Sequence, residues 1–360
     1  MVCTYALKGV TMEYVKVAVD AMGGDYAPKE IVKGAVEALS ESDKIRITLV
    51  GKEDQIREEL KLYQYPEDRV EILSASEMIE MAEPPVKAIS TKKDSSLVKA
   101  MKLVKNGEAD AVVTAGSSGA TLVGGQILVG KLKGIERPPL APLLPTSKGP
   151  VLLIDCGANV DARSSWLVQF AQMGSIYMQN MIGIEKPRVA LANIGAEEEK
   201  GNALAKETYQ LLKELDHINF IGNIEARDIP DGAADVVVCD AFVGNMILKM
   251  YEGVAAVLLD QITAVLKSSP KTLLGAALIK SDLKATMKKF STSTYGGAPL
   301  LGLKGLVVKA HGNAKSTAIR NALLQCAEFK EKGVNDQFVS QMNLVDRTKK
   351  EVPEETAERV

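Results

Sequence analysis

VKVAVDAMGGDYAPKEIVKGAVEAL, residues 15–39, holds the unit from which the chain is built: a β-branched run, a glycine loop, then a segment of helical period. The same order recurs at IRITLV, RVEIL, DAVVTAG, VLLIDCGAN, RVALANIG, INFIGN, DVVVCD and GLVVKAHG, each run ending in polar or glycine residues. Such alternation implies a mostly parallel sheet covered by helices on both faces, a three-layer α/β/α arrangement. Ligands in sheets of this kind bind beyond the carboxyl ends of the strands, where the sequence sets Asp20, Gly116, Asp155, Asn193, Asp240 and His311. One cleft is expected to gather them.

Working outward, residues 15–349 read as one α/β domain, preceded by an extension at 1–14 and followed by a tail at 350–360. Met12 is an alternative start, and MVCTYALKGVTMEY lacks the pattern of a signal peptide. The Pro-rich piece RPPLAPLLPTSKGP (137–150) reads as a connection between two halves of the sheet, a soft internal boundary. With 44 Lys and Arg against 46 acidic residues, nothing global marks a nucleic-acid binder. Four scattered cysteines suit neither a zinc cage nor a disulfide framework, so a reducing cytoplasm is expected.

Residues 243–289 differ from the rest. Ile247, Leu248, Met250, Val254, Val257, Leu258, Ile262 and Val265 fit one long helix, and a Lys-rich helical stretch follows Pro270. A projecting helical hairpin is predicted. Its apolar helix calls for a partner, hence a homodimer. VAAVLLDQITAVL is broken by Asp260 and Gln261, so no membrane span is expected.

Gly125, Gly130 and Lys131 nearly spell a phosphate loop, but Leu132 stands where Ser or Thr is needed. No dinucleotide fingerprint follows a strand, and no metal-ligand cluster is evident; no metal and no cofactor are predicted. What remains is a set of small-residue loops. AMGGDYAP carries Gly23, Gly24 and Asp25, TAGSSGAT carries Ser117, Ser118 and Gly119, CDAFVGN carries Asp240 and Gly244, and STYGGAP carries Gly296 and Gly297; AHGNAKST is the fifth. Glycines let backbone N–H groups approach an anion, and glycines also serve ordinary turns. Five such loops on one sheet edge favour a phosphate site.

These segments resemble the acyl-carrier-protein:phosphate acyltransferase family. The family's DxMGGDxAP, AGNTGA, DxGANVD, NIGEEExKGN, FIGNIEGRD, CDGFVGN and YGGAPLLG appear here as DAMGGDYAP, AGSSGA, DCGANVD, NIGAEEEKGN, FIGNIEARD, CDAFVGN and YGGAPLLG. Ser117 and Ser118 replace Asn and Thr, and Ala196, Ala226 and Ala241 replace Glu or Gly. The resemblance implies a fold related to phosphotransacetylases and to isocitrate and isopropylmalate dehydrogenases. It also implies transfer of a long-chain acyl group from acyl carrier protein to inorganic phosphate, giving acyl phosphate for a downstream glycerol-phosphate acyltransferase of phospholipid synthesis. Phosphate is largely ionised at neutral pH and a thiolate leaves readily, so fixed donors matter more than a strong base. That suits a chain with two histidines.

Lys200, closing NIGAEEEKGN before a predicted helix, is the first choice for a charged donor; a solvated lysine offsetting Glu197, Glu198 and Glu199 is the alternative. Asn245 is an oxyanion donor or a helix cap, and His311 a donor to phosphate or sulfur or a structural turn residue. His217 reads as inert. Asp20, Asp155 and Asn159 join the substrate-binding set from the resemblance. Ser95 and Ser96, behind Lys92 and Lys93, read as an anion seat or as an ordinary helix start. Cys156 and Cys239 read as buried thiols rather than nucleophiles. Competing functions are a phosphotransacetylase-like enzyme using acyl-CoA, and a non-catalytic scaffold for carrier protein or membrane. Finally, Lys267, Lys271, Lys280, Lys284 and Lys288 with Leu273 and Leu274 predict a patch for an anionic membrane or the acidic carrier, and so a cytoplasmic protein held peripherally on the membrane.

Overall fold

The computed structural model describes residues 14–289 and 292–342. Residues 1–13, the segment from 343 onward and the Lys288 side chain, all named above, lie outside the described residues.

Strands form where Val, Ile and Leu dominate, because a parallel strand is buried on both faces. AVVT at Ala111–Thr114 and VVV at Val236–Val238 are buried throughout. In chain order the strands are β1 (Val15–Asp20), β2 (Ile45–Gly51), β3 (Val70–Ser74), β4 (Ala111–Thr114), β5 (Leu143–Thr146), β6 (Gly149–Ile154), β7 (Arg188–Asn193), β8 (Asn219–Glu225), β9 (Val236–Val238), β10 (Ala298–Leu300) and β11 (Leu306–Lys309). They divide between two sheets of order β10-β11-β4-β1-β2-β3 and β5-β6-β9-β7-β8. Only the β10/β11 and β5/β6 pairs are antiparallel. The class is as read from the sequence; the single sheet expected there is two.

The Pro-rich piece explains the division. Ala141 N–H donates to the Pro299 carbonyl and Leu301 N–H to that of Pro139, each at 3.0 Å, so 139–141 runs along the edge of the first sheet. The chain then enters β5 at the edge of the second. Prolines lack the N–H that an inner strand must donate, so this stretch can only line edges. It joins the sheets rather than merely separating them. One continuous core runs from Val17 and Val19 through Leu301 and Leu306 to Leu152, Ile154 and Phe170.

The helices are α1 (Lys29–Glu41), α2 (Glu53–Leu60), α3 (Pro85–Thr91), α4 (Ser96–Lys105), α5 (Ser118–Gly124), α6 (Ser164–Tyr177), α7 (Ala203–Lys213), α8 (Ala241–Leu266), α9 (Pro270–Lys289), α10 (Ser316–Glu331) and α11 (Val334–Gln341). The helices α8 and α9 form the hairpin. Only Ala241 and Gly244 of α8 are buried, while Met250, Val257, Leu258 and Val265 are exposed. By length and composition α8 passes for a membrane-crossing helix, with a mean hydropathy of 1.4 over its most apolar window and 6% of that window buried. The sequence reading set this aside because Asp260 and Gln261 interrupt the run. The helix is rooted in the protein: its first turn is in the core and the Tyr251 hydroxyl donates to the Pro145 carbonyl.

Candidate active site

In the first sheet β1 is followed by β2 on one side and by β4 on the other, so their carboxyl ends part at a topological switch point. Asp20 ends β1 there. It is 2% exposed, and its carboxylate accepts from the Thr114 hydroxyl at 2.7 Å and Met22 N–H at 3.3 Å, with the Ser96 hydroxyl also bonded to it. Burial raises its pKa against the pull of these donors. Val19 pairs with Val113, and Lys309 pairs with Thr114, so the ends of β1, β4 and β11 stand side by side. Lys309 is 8% exposed, and its ammonium donates to the carbonyls of Ala115, at 3.3 Å, and Ala310. Burial pushes its pKa down to about 8, with Asp20 and Asp25 opposing and Lys249 of α8 reinforcing. Lys249 carries α8 of the second sheet into this field.

The loop after β1 hugs its neighbours. A Cβ on Gly23 would overlap the Asp20 carboxylate and approach Gly116 N to 2.7 Å, and Gly24 has φ +108. Asp25 is exposed, its N–H bonded to the Gly312 carbonyl at 2.8 Å. Ser117 caps α5, accepting from Ala120 N–H at 3.4 Å, and Ser118 is exposed. Gly119 leaves space for Pro85.

At the second sheet several predicted ligands are structural instead. The Asp155 carboxylate accepts from the N–H groups of Leu140, Gly157, Ala158 and Asn159 and from the Asn159 side-chain amide, at 2.8–3.1 Å. It is fully buried, so protein donors consume it. Asn159 also donates to the Pro138 carbonyl at 3.1 Å, and its own carbonyl accepts from Ala241 N–H. This cluster ties the inter-sheet connection to the start of α8. Gly244 belongs to it, since any Cβ would collide with the Asp155 carbonyl oxygen. Asp240 caps α8, accepting from Val243 N–H at 2.8 Å. The cap reading of Asn245 is therefore corrected: it lies in the second turn of α8, exposed. Lys200 is also exposed, in the loop between β7 and α7, and Asn202 rather than Lys200 begins α7 as its cap.

Lys200 and Asn245 thus follow the carboxyl ends of neighbouring parallel strands, β7 and β9. His311 follows β11 of the other sheet, exposed, its Nδ1 accepting from Asn313 N–H at 3.4 Å. No hydrogen bond joins any two of these three among the described residues. Gly296 and Gly297 depart from the phosphate-loop reading, because they let this segment pack on Gln325 and Ala322 of α10 and on Val308 and Lys309 of β11. Ser95 is buried with its hydroxyl on the Lys92 carbonyl at 2.8 Å, and Lys92 pairs with Glu83 at 2.5 Å. Ser95 begins α4 without a side-chain cap bond, while Ser96 lines a small cavity with Asp20, Gly23 and Gly116. Cys156 and Cys239 are buried, and burial, with Cys239 and Asp155 close by, pushes the Cys156 thiol well up. Lys309 was missed in the sequence; its signal is a lone lysine closing an apolar run, GLVVK.

The Fatty acid synthesis protein family matches residues 15–337. A phosphate acyltransferase of Clostridium novyi (strain NT) is 47% identical over 326 residues, 91% of this chain and 98% of the relative. A putative phosphate acyltransferase of Clostridium perfringens (strain 13 / Type A) is 50% identical over 317 residues, 88% of this chain and 94% of the relative. The chain belongs to the phosphate acyltransferase family. A solved phosphotransacetylase of Streptococcus pyogenes has the same fold, with a TM-score of 0.56 at 16% identity, covering 88% of this chain and 94% of that one. So has a branched-chain phosphotransacylase of Enterococcus faecalis V583, with a TM-score of 0.52 at 16% identity over 87% and 98%. As a phosphate acyltransferase the protein is an enzyme that moves an acyl group to phosphate. Both requirements have candidate groups here: cations at strand ends for the anion, and fixed donors for an oxyanion.

Proposed function

We propose that this phosphate acyltransferase takes a long-chain acyl group from the phosphopantetheine thioester of acyl carrier protein and passes it to inorganic phosphate, making acyl phosphate for phospholipid synthesis. The match of residues 15–337 to a family described by fatty acid synthesis carries the choice of donor. In the reaction a phosphate oxygen attacks the thioester carbonyl carbon, a C–O bond forms, the C–S bond breaks and the thiolate leaves to take a proton. Lys200 and Asn245, exposed beyond neighbouring strands, are the proposed donors to the tetrahedral oxyanion, and His311 the donor to phosphate or the departing sulfur. The phosphotransacetylase-like fold favours a second reading with acyl-CoA as donor.

The exposed apolar face of α8 supports a homodimer. The exposed Lys267, Lys271, Lys280 and Lys284 beside Leu273 and Leu274, 58% and 66% exposed, support docking of the acidic carrier or peripheral attachment to an anionic membrane from the cytoplasm. There the unstable acyl phosphate would meet a glycerol-phosphate acyltransferase.

The test is acyl phosphate formation by the purified full chain with labelled phosphate and either acyl carrier protein thioester or acyl-CoA. Turnover with the carrier thioester, falling roughly 10²-fold in Lys200→Ala and in Asn245→Ala with the fold retained, is expected. Turnover with acyl-CoA alone moves the assignment to the second reading. No acyl phosphate from either donor leaves a scaffold, and undiminished variants return both residues to a structural role.

A further inference from the structure

Lys309 holds a positive charge where water scarcely reaches, and its surroundings do not balance it. An ammonium has three protons to donate. Two go to the carbonyls of Ala115 and Ala310. Among the described residues no carboxylate lies within ion-pair distance of the third. Asp20, two strands away at the same sheet edge, spends its oxygens on Thr114, Met22 and Ser96. The charged groups that face Lys309 are Asp20 of β1, Asp25 of the loop after it and Lys249 of α8, so one of the three adds repulsion. A buried charge is normally paired, because losing its water costs several kcal/mol.

We propose that Lys309 seats the phosphate nucleophile, its third ammonium proton donated to a phosphate oxygen. The proposal rests on the phosphate acyltransferase reading and names the residue that holds its second substrate. A small dianion suits the position better than a thioester on a long arm. Lys309 is recessed at the sheet edge, whereas Lys200 and Asn245 stand exposed where a bulky carrier can present its acyl group. Lys249 of α8, paired with Glu252 at 2.9 Å, lies within electrostatic reach of Lys309. Gly24 packs on Ala115 and the Gly312 carbonyl, and Gly312 faces the Asp25 carboxylate, so the loop after β1 is held close to the end of β11.

The sign of the pH dependence follows. Below a pKa of about 8 Lys309 is charged and binds the dianion; above it the charge and the affinity are lost. Above about pH 8 phosphate carries two negative charges and gains no third until far more alkaline pH, so a fall in affinity there belongs to the protein.

Equilibrium dialysis of labelled inorganic phosphate against the full chain, without any acyl donor, is the measurement. Affinity for phosphate should fall about tenfold per pH unit once pH rises through the Lys309 pKa. Lys309→Met should weaken binding roughly 10- to 100-fold, the loss of one charge-assisted hydrogen bond, and raise KM for phosphate without changing KM for the acyl donor. Lys309→Arg should bind phosphate with the alkaline fall removed. Affinity in the parent that is flat up to about pH 10 overturns the proposal, and so does a folded Lys309→Met that binds phosphate as the parent does. Should Lys309→Met fail to fold, the parent's pH profile decides alone. Phosphate binding with this profile in a protein that makes no acyl phosphate keeps the seat and discards the catalytic reading. Acyl phosphate synthesis with flat phosphate affinity does the reverse.

Discussion

Asp155 and Lys309 look alike in the sequence, each a charged residue closing an apolar strand, and the structure gives them opposite situations. Five donors surround the Asp155 carboxylate at 2.8–3.1 Å, while the Lys309 ammonium meets two carbonyls and no counter-ion among the described residues. The first is a completed hydrogen-bond cluster and the second an open one. Gly244 is part of the completed one. We expect Gly244→Ala to lower unfolding free energy by roughly 1–3 kcal/mol or more, since the new methyl group has to displace the Asp155 backbone. Gly253→Ala in the same helix, whose Cβ would meet nothing within 4 Å, should raise it by up to ~1 kcal/mol through helix propensity. Urea unfolding monitored by circular dichroism compares the two; equal effects would mean that the α8 start is not clamped on Asp155.

Among the elements, the α8–α9 hairpin is the one whose composition and placement disagree. Its first helix is apolar enough for a core, yet Val257 and Leu258 there, with Leu273 and Leu274 of the second, are all more than half exposed. Amphipathic helices normally bury such faces, and the two halves of this hairpin have separable proposed uses. Val257→Glu with Leu258→Glu on α8 should shift the protein from dimer to monomer in analytical ultracentrifugation. Leu273→Glu with Leu274→Glu at the tip should reduce co-sedimentation with anionic vesicles and leave acyl phosphate synthesis in solution unchanged. A tip variant that still sediments with vesicles would redirect the lysine patch to carrier-protein docking. If neither pair of changes alters association, the apolar face has some other occupant.

At the scale of the whole molecule, Lys309 at the carboxyl edge of one sheet and Lys249 on a helix that follows a strand of the other lie within electrostatic reach. The chemistry proposed there uses an ionised nucleophile and a good leaving group, so it asks for charge and orientation. We expect turnover in a metal chelator to equal turnover in added magnesium, measured as labelled acyl phosphate; loss in chelator with recovery on magnesium would show that a cation shares the phosphate. Nine of the eleven strands described, their alternation with helices, the glycine loops and the apolar hairpin are legible in the sequence because each is decided by neighbours a few positions away, whereas β5 and β10 read there as a connection and as part of a glycine loop. Family membership was legible for the same reason, since DCGANVD or YGGAPLLG is a contiguous string. The tertiary structure alone decided that the strands form two sheets, that Asp155, Asn159 and Gly244 serve one internal cluster, and that Lys309 lies at the same sheet edge as Asp20 without an ion-pair partner among the described residues. Those facts depend on strand register and on contacts between residues far apart in the chain, such as Thr114 with Asp20 and Lys309 with Ala115. Burial is what turns a lysine or a carboxylate into either a strut or a site, and burial is a property of the packed whole.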